Sequence, residues 1–429
     1  LFPARRSSDL VVFGASGFTG QFVVEEVVRV ASEAAQLRPL TWAVAGRSRG
    51  RLQEVLERLS SRLGNTDLKS DVSIIICDVN DPSSLAAMCQ QGTVILSCVG
   101  PYRLFGEPVV KACVENGAHY VDICGEPQFL EAMQQKYNDQ AAEQGVYVVG
   151  SCGFDSIPAD MGVLYTRNQL KGTLSSIESF LLFQSGPEGG CGHATTWQSA
   201  VYGFSDRDSL RKLRRQFGHK PLPFVGTKIR SRGSVFYSNE VNQYAVPFIG
   251  SDPAVVKRTQ RYLYENFDEQ PVQYGSYVAV GGISSVVALM MVGFFFWCFT
   301  KFSFGRKLLI KYPEFFSFGM FSKEGPTIKQ MEGTTFSMRF YGVGYGPDQD
   351  PLQSKPNVKI FTEVKGPEPG YVTTPKAMVQ AAVTMLWETK SLPGRGGVFS
   401  PGAAFSKTSL IERLNKHSIE FSVISHSEA

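Results

Sequence analysis

The sequence has no Cys-x-x-Cys pair, and its five histidines are scattered over 429 residues. Both absences argue against a zinc site. Its eight cysteines are Cys77, Cys89, Cys98, Cys113, Cys124, Cys152, Cys191 and Cys298, and Cys77 and Cys98 fall in apolar runs. Free structural thiols in a reducing compartment are expected. No tyrosine has lysine four residues on, so the Tyr-x-x-x-Lys machinery of short-chain dehydrogenases is absent. The formal net charge is only +4, too small for the whole chain to bind polyanions. A mean hydropathy of −0.08 excludes many membrane spans but not one concentrated segment. Residues 1–6 are too short for a secretory signal ahead of the first strand, so a protein that is not secreted is expected.

With 43% hydrophobic and 19% charged residues the chain has globular proportions. Its length implies two or three domains. Through residue 155 apolar strands alternate with helices. Strands are expected at 10–13, 42–45, 72–77, 93–99, 119–123 and 146–149. Helices fall between them, one opening at Asp81-Pro82 and one at Glu107-Pro108, with proline in the first turn. Six alternations with short connections predict a Rossmann-type, doubly wound parallel sheet.

The first strand runs into Gly14-Ala15-Ser16-Gly17-Phe18-Thr19-Gly20. Glycines between a strand and a helix let the backbone approach a pyrophosphate, whose charge the helix N-terminus stabilises. The spacing is G-x-x-G-x-x-G rather than G-x-G-x-x-G. NAD binders place an acid after the second strand, but none occurs between Glu33 and Glu54. Arg47 and Ser48 stand there instead, a guanidinium and a hydroxyl suited to a 2′-phosphate, and NADP(H) is the expected cofactor. Arg49 and Arg51 read more simply as a solvated helix face. Further strand ends point at the same crevice: Asp78 toward the adenine, and Val99-Gly100-Pro101-Tyr102 toward the nicotinamide half. Each taken alone is also an ordinary turn. Proton donors near the nicotinamide are sought among Asp122, Cys124, Cys152 and Asp155, with Asp122, Asp155 and Cys152 as the catalytic candidates. Core packing or a turn accounts equally well for each.

These segments, together with Ala45-Gly46-Arg47, Tyr120-Val121-Asp122, Gly125-Glu126 and Gly153-Phe154-Asp155-Ser156-Ile157-Pro158-Ala159-Asp160, resemble the saccharopine dehydrogenase family. The likeness extends to the C-terminal run from Gly396 to Ser425, so it covers nearly the whole chain. It implies a dinucleotide domain at 8–155, an α/β substrate and dimerisation domain at 156–372, and a C-terminal segment at 373–429 that returns toward the first domain. It implies Gly14, Gly17, Gly20, Arg47, Asp78, Gly100 and Tyr102 near the dinucleotide. The family also includes bacterial trans-acting enoyl reductases of lipid and glycolipid synthesis. It does not name the substrate.

Residues 205–233 hold nine Lys/Arg against two acids. No nucleic-acid motif accompanies them, so a solvated basic face or an anionic lipid surface is the reading, and no nucleic-acid partner is expected. His193 precedes a helix that Thr195-Thr196 are expected to cap; it reads as a loop residue or a substrate contact. Gln270 to Thr300 contains no charge, and Val278 to Phe299 is long enough to cross a bilayer. An insert at about 275–322 is therefore expected to meet a membrane or lipid-droplet surface through 278–321. A single crossing would separate the two halves of the fold. A re-entrant hairpin bent at Gly281-Gly282 or Gly293, or an in-plane helix, keeps both on the cytosolic side. A buried helix or a homodimer interface is the alternative. Further on, strands are expected at 334–341, 359–364 and 419–424, and a helix from Thr374, its N-cap, to Trp387.

Two functions fit these features. One is an NADP(H)-dependent oxidoreductase acting on a lipid-like or other small substrate at a cytosol-facing lipid droplet, endoplasmic reticulum or mitochondrial surface. The other is a non-catalytic NADP(H)-binding scaffold at such a surface. Saccharopine turnover itself is a third possibility.

Overall fold

The computed structural model describes residues 6–36, 38–64 and 68–428. The N-terminal run at 1–5 lies outside them.

The first sheet is seven parallel strands. They are β1 (Ser8–Phe13), β2 (Trp42–Gly46), β3 (Ser73–Ile76), β4 (Gly92–Ser97), β5 (His119–Asp122), β6 (Tyr147–Val149) and a late strand, Gly397–Phe399. The order is late strand, β6, β5, β4, β1, β2, β3. The chain reverses direction across the sheet between β1 and β4, the place where a parallel sheet opens a crevice at its carboxyl edge. Helices α1 (Phe18–Ala34), α2 (Arg49–Leu63), α3 (Pro82–Gln91), α4 (Tyr102–Glu115) and α5 (Pro127–Gln144) cover the two faces. Their apolar sides form two cores with the strands, since a parallel sheet must be buried on both faces.

After α6 (Ile157–Gln169) comes a second, mixed sheet. Its centre is β7 (Thr173–Gln184), which pairs parallel with Gln273–Gly281 and antiparallel with Thr335–Tyr345. The C-terminal strand, Glu420–Glu428, closes one edge. Along the chain between β7 and Gln273–Gly281 come α7 (Ala194–Ser205), α8 (Arg207–Phe217) and α9 (Asp252–Phe267).

Three expectations change. α4 starts at Tyr102, so Pro108 lies inside the helix and not in its first turn. The Glu126 carboxylate, 24 residues on, accepts from Tyr102 N (3.0 Å) and Arg103 N (3.4 Å) and caps the helix there. α7 is capped by the His193 side chain, which accepts from Thr195 N, and not by Thr195 or Thr196. The helix Thr374–Trp387 has Thr373 at its N-cap. The Thr374 hydroxyl instead donates to Pro369 O and accepts from Phe154 N, tying the C-terminal segment to the connection that follows β6. The glycine-rich stretch 391–402 holds a strand, Gly397–Phe399, beside β6.

The apolar run also divides. Val278–Gly281 completes a central strand of the second sheet. Only α10 (Ile283–Thr300) is helix, and it passes Gly293 without a break. Only Val286 and Thr300 of α10 are buried. Ile283, Met290, Phe294 and Phe295 are each at least 57% exposed, which removes the buried-core alternative. The helix α11 (Ser303–Lys311) follows. A small cluster anchors both: Trp197 and Val201 of α7 pack with Leu309, Phe296 and Phe299, and Trp197 Nε1 donates to Leu309 O at 2.9 Å.

Candidate active site

The turn after β1 is built tightly. Gly14 has φ +84°, and a side chain there would reach Val99 Cγ2 at 2.9 Å. Gly17 N donates to Gly14 O at 2.9 Å. A Cβ on Gly20 would lie 2.1 Å from Gly14 O, so α1 sits directly against the turn only because Gly20 has no side chain. Gly20 thus supports the turn from behind.

A cavity of about 340 Å³ opens over this turn. Gly14, Ser16, Gly17, Phe18 and Thr19 line it, with Arg47 after β2 and Val99 and Gly100 after β4. Arg51 lines it too, from the solvated face of the first turn of α2. After β3 the lining residues are Val79 and Asn80, not Asp78. The Asp78 carboxylate is held in its own turn, accepting from Asn80 N at 2.9 Å. Ser48 also stays off the cavity, as the N-cap of α2. Pro101 only leads into α4. Tyr102 is off this cavity but lines the larger one beside it, and its hydroxyl donates to Ser97 O at 2.7 Å.

A second cavity of about 620 Å³ adjoins the first. Thr19, Cys98, Gly100, His193 and Thr195 line both. Its walls bring Asp155, Glu126, Thr196, Ser199 and Tyr371 together. Burial raises the Asp155 carboxyl to about 6. Burial also raises Glu126, against the backbone donors of α4 and the Ser199 hydroxyl that hold it. The Tyr371 hydroxyl accepts from His193 N at 2.7 Å, and burial pushes its pKa to about 12. Tyr371 is placed by a π-helical turn, Pro369–Thr373, whose amides of Gly370, Tyr371 and Val372 are capped by the Glu368 carboxylate. The His193 ring is stacked on Phe18, and burial lowers its pKa.

Two of the three catalytic candidates lie off both cavities. Asp122 is fully buried, accepting from Cys124 N, Ser151 N and the Tyr120 hydroxyl. Burial raises it to about 6, and its work is to fasten the ends of β5 and β6. Cys152 is fully buried with its thiol directed to Val149 O. Cys124 is likewise buried, and burial raises its thiol. A thiol held neutral in this way is inert. Asp155 alone of the candidates faces the cavity. Glu126 stood in the sequence beside Gly125 without a role. Ser199 and Tyr371 carried no signal.

The site suits an NADP-type dinucleotide. It has a turn whose space a side chain would fill, a helix N-terminus behind it, Arg47 after β2 and Arg51 in the first turn of α2, and no acid between Glu33 and Glu54. Residues 10–149 match the model of the saccharopine dehydrogenase NADP binding domain. A saccharopine dehydrogenase-like oxidoreductase of Mus musculus is 61% identical over 424 residues, 99% of each chain. A lipid droplet localized protein of Caenorhabditis elegans is 39% identical over 96% of this chain and 97% of its own length. The fold is that of apo saccharopine dehydrogenase (L-Glu forming) from Saccharomyces cerevisiae, with a TM-score of 0.55 at 13% identity, covering 97% of this chain and 100% of that one. The chain is an NADP(H)-binding oxidoreductase belonging to the saccharopine dehydrogenase family.

Proposed function

We propose that the chain transfers hydride between NADP(H) and an amphipathic, lipid-like substrate at a membrane or lipid-droplet surface facing the cytosol. One observation carries the reading: the dinucleotide cavity opens into a second, larger cavity through five shared residues, with Asp155 on its wall.

Bound NADP(H) supplies the hydride. Gly14, Ser16, Gly17, Phe18 and Thr19 seat the diphosphate, and Arg47 with Arg51 hold the 2′-phosphate. Val99 and Gly100 face the nicotinamide half. Phe18 and His193 close the junction of the cavities against water. Asp155 holds the proton that accompanies hydride transfer to a carbonyl or alkene, and its raised pKa keeps part of the population protonated near neutrality. The reading gives residues 8–155 to the cofactor and 156–372 to the substrate. The segment 373–429 joins them, with one strand in each sheet and Tyr371 just ahead of it.

The surface assignment rests on α10, an 18-residue apolar helix with only two residues buried. Lys301, Arg306, Lys307 and Lys311 follow it directly, the charge an anionic lipid surface attracts. Exposed Phe302, Phe304, Phe315 and Phe318 extend the apolar face. The name of the worm relative points the same way. The test is consumption of NADPH, monitored by absorbance, with a neutral lipid extract as substrate source. Stereospecific oxidation that Asp155→Asn abolishes supports the reading. NADPH binding with no turnover of any lipid fraction overturns it in favour of a scaffold.

A further inference from the structure

Helix α7 has two sides with different neighbours. At its start, His193 stacks on Phe18 of the nucleotide turn, and Thr195, Thr196 and Ser199 line the larger cavity. At its end, Gly203 and Phe204 line the same cavity. A helix rises 1.5 Å per residue, so Phe204 lies about 16 Å along the axis from His193. There the Phe204 ring meets Phe296 of α10 edge-on, with centroids 5.1 Å apart. Ala200, Phe204, Leu210, Ile249, Pro253 and Ala254 give this cavity an apolar share of its wall, with the cations Arg214 and Lys257 also lining it. Ile249 is 73% exposed, so the cavity is open on this side.

We propose that this outer half is a binding channel for one apolar chain, entering from the lipid surface past the Phe204–Phe296 pair. The proposal rests on the lipid-surface reading of α10 and adds the route and orientation of the substrate. The reacting group goes in first, to Gly100 and Asp155. The chain trails along α7, and its far end stays in contact with the bilayer or droplet. Each methylene buried adds to affinity, so the channel favours long-chain substrates over their short-chain homologues. The chain then never crosses open water between lipid and site.

Gly203 offers a clean test. A Cβ there meets nothing within 4 Å, so a larger side chain enters the channel without displacing the fold. The probe is cis-parinaric acid, titrated by fluorescence into the NADP⁺-saturated full-length protein. Neutral dodecan-1-ol, which offers Lys257 no charge, serves as the competitor. Expected is one saturable site that dodecan-1-ol empties. Gly203→Leu should weaken probe affinity at least tenfold, and Ala200→Leu, one turn earlier, should weaken it as well. Gly203→Ala should leave it within twofold, and NADP⁺ affinity should not move in any of the three. Probe bound on the open face of α10 would ignore Gly203→Leu, and unchanged affinity in both leucine variants overturns the channel. Equal loss in the alanine and leucine variants overturns it too. Vesicle flotation of the same proteins reads the lipid-surface assignment separately: a wild type that fails to float, while still binding probe in a Gly203-dependent way, sinks that assignment and leaves the channel standing.

Discussion

The ring of Phe18 lies flat against the imidazole of His193, with centroids 4.7 Å apart and 16° between the planes. Phe18 opens α1 at the nucleotide turn, and His193 caps α7. The contact therefore joins the glycine turn after β1 to the start of α7. His193 Nδ1 accepts from Thr195 N at 3.2 Å, which requires that nitrogen to be unprotonated. Burial lowers the folded pKa below the unfolded value of about 6.5. The cap's contribution is thus present above the unfolded value and is lost as pH falls through the folded one. His193→Asn caps without titrating, so NADP⁺ affinity in that variant should depend less on pH below 6.5 than in the wild type. His193→Ala should cost about 1 kcal/mol of stability at pH 8. Parallel affinity and melting series across pH check both.

Arg47, after β2, and Arg51, in the first turn of α2, line the dinucleotide cavity, and no acid accompanies them. A charge-assisted hydrogen bond contributes about 1.5–3 kcal/mol. Arg47→Ala should therefore lower affinity for NADPH by about tenfold to a hundredfold and leave NADH nearly untouched. Arg51→Ala should act the same way. Fluorescence titration with both nucleotides measures the ratio. An equal loss for NADH would move the arginines away from the 2′-phosphate.

The sequence made the first domain readable because its signals are local. The strand, the glycine turn and the helix of β1–α1 stand in one uninterrupted run, and the missing acid after β2 is visible by inspection. Asp78 misled because a carboxylate that hydrogen-bonds two residues ahead has the same local sequence as one that faces a ligand. The start of α4 was displaced because its cap, Glu126, comes from another connection, and side-chain caps are sought within the turn itself. Tyr371 reaches the site through a π-turn that no periodicity marks. The strand Gly397–Phe399 is three residues long, too short for an alternation pattern, and is defined only by its partner β6. For α10, composition gave the length of the apolar run. Only packing shows that its first four residues belong to a strand and that the remainder is uncovered.

Asp155 differs from Asp122 in what surrounds it, although burial raises both to about 6. Asp155 faces the cavity, whereas Asp122 holds two backbone amides. Asp155→Asn should keep NADPH affinity and lower kcat by about 10²–10⁴. In the wild type the neutral carboxyl is lost as pH rises through about 6, so the rate of substrate reduction should fall over that range. The linked stability has the same sign: a carboxyl whose pKa is raised on folding contributes stability below its unfolded pKa, and this is lost as pH rises through 6. Asp122→Ala should instead leave two amides without acceptors and lower stability by about 2–5 kcal/mol, with a proportionate loss of folded protein rather than a changed pH–rate profile. Chemical denaturation and pH–rate profiles separate the two roles.

The exposed face of α10 is tested by substitution rather than deletion, since removing residues from 278 would cut the strand Gln273–Gly281 out of the second sheet. Met290, Phe294 and Phe295 are each 57% exposed or more and project from a helix with two buried residues. Replacing all three with serine removes apolar surface without opening a cavity, so the melting temperature should hold or rise. Each large apolar side chain contributes about 1.5–3 kcal/mol when buried. The triple variant should therefore lose more than a hundredfold in partitioning to lipid vesicles, even though bilayer insertion is partial. Charge reversal at Lys307 and Lys311 should act differently. Juxtamembrane cations contribute about 1 kcal/mol each on anionic lipid, an effect that salt screens. Binding to phosphatidylserine vesicles should then weaken in the reversal variant at low salt and converge with the wild type at high salt. Neutral vesicles should not distinguish the two. Co-sedimentation across a salt series gives both slopes, and a triple-serine variant that still sediments fully would place the lipid contact elsewhere on the chain.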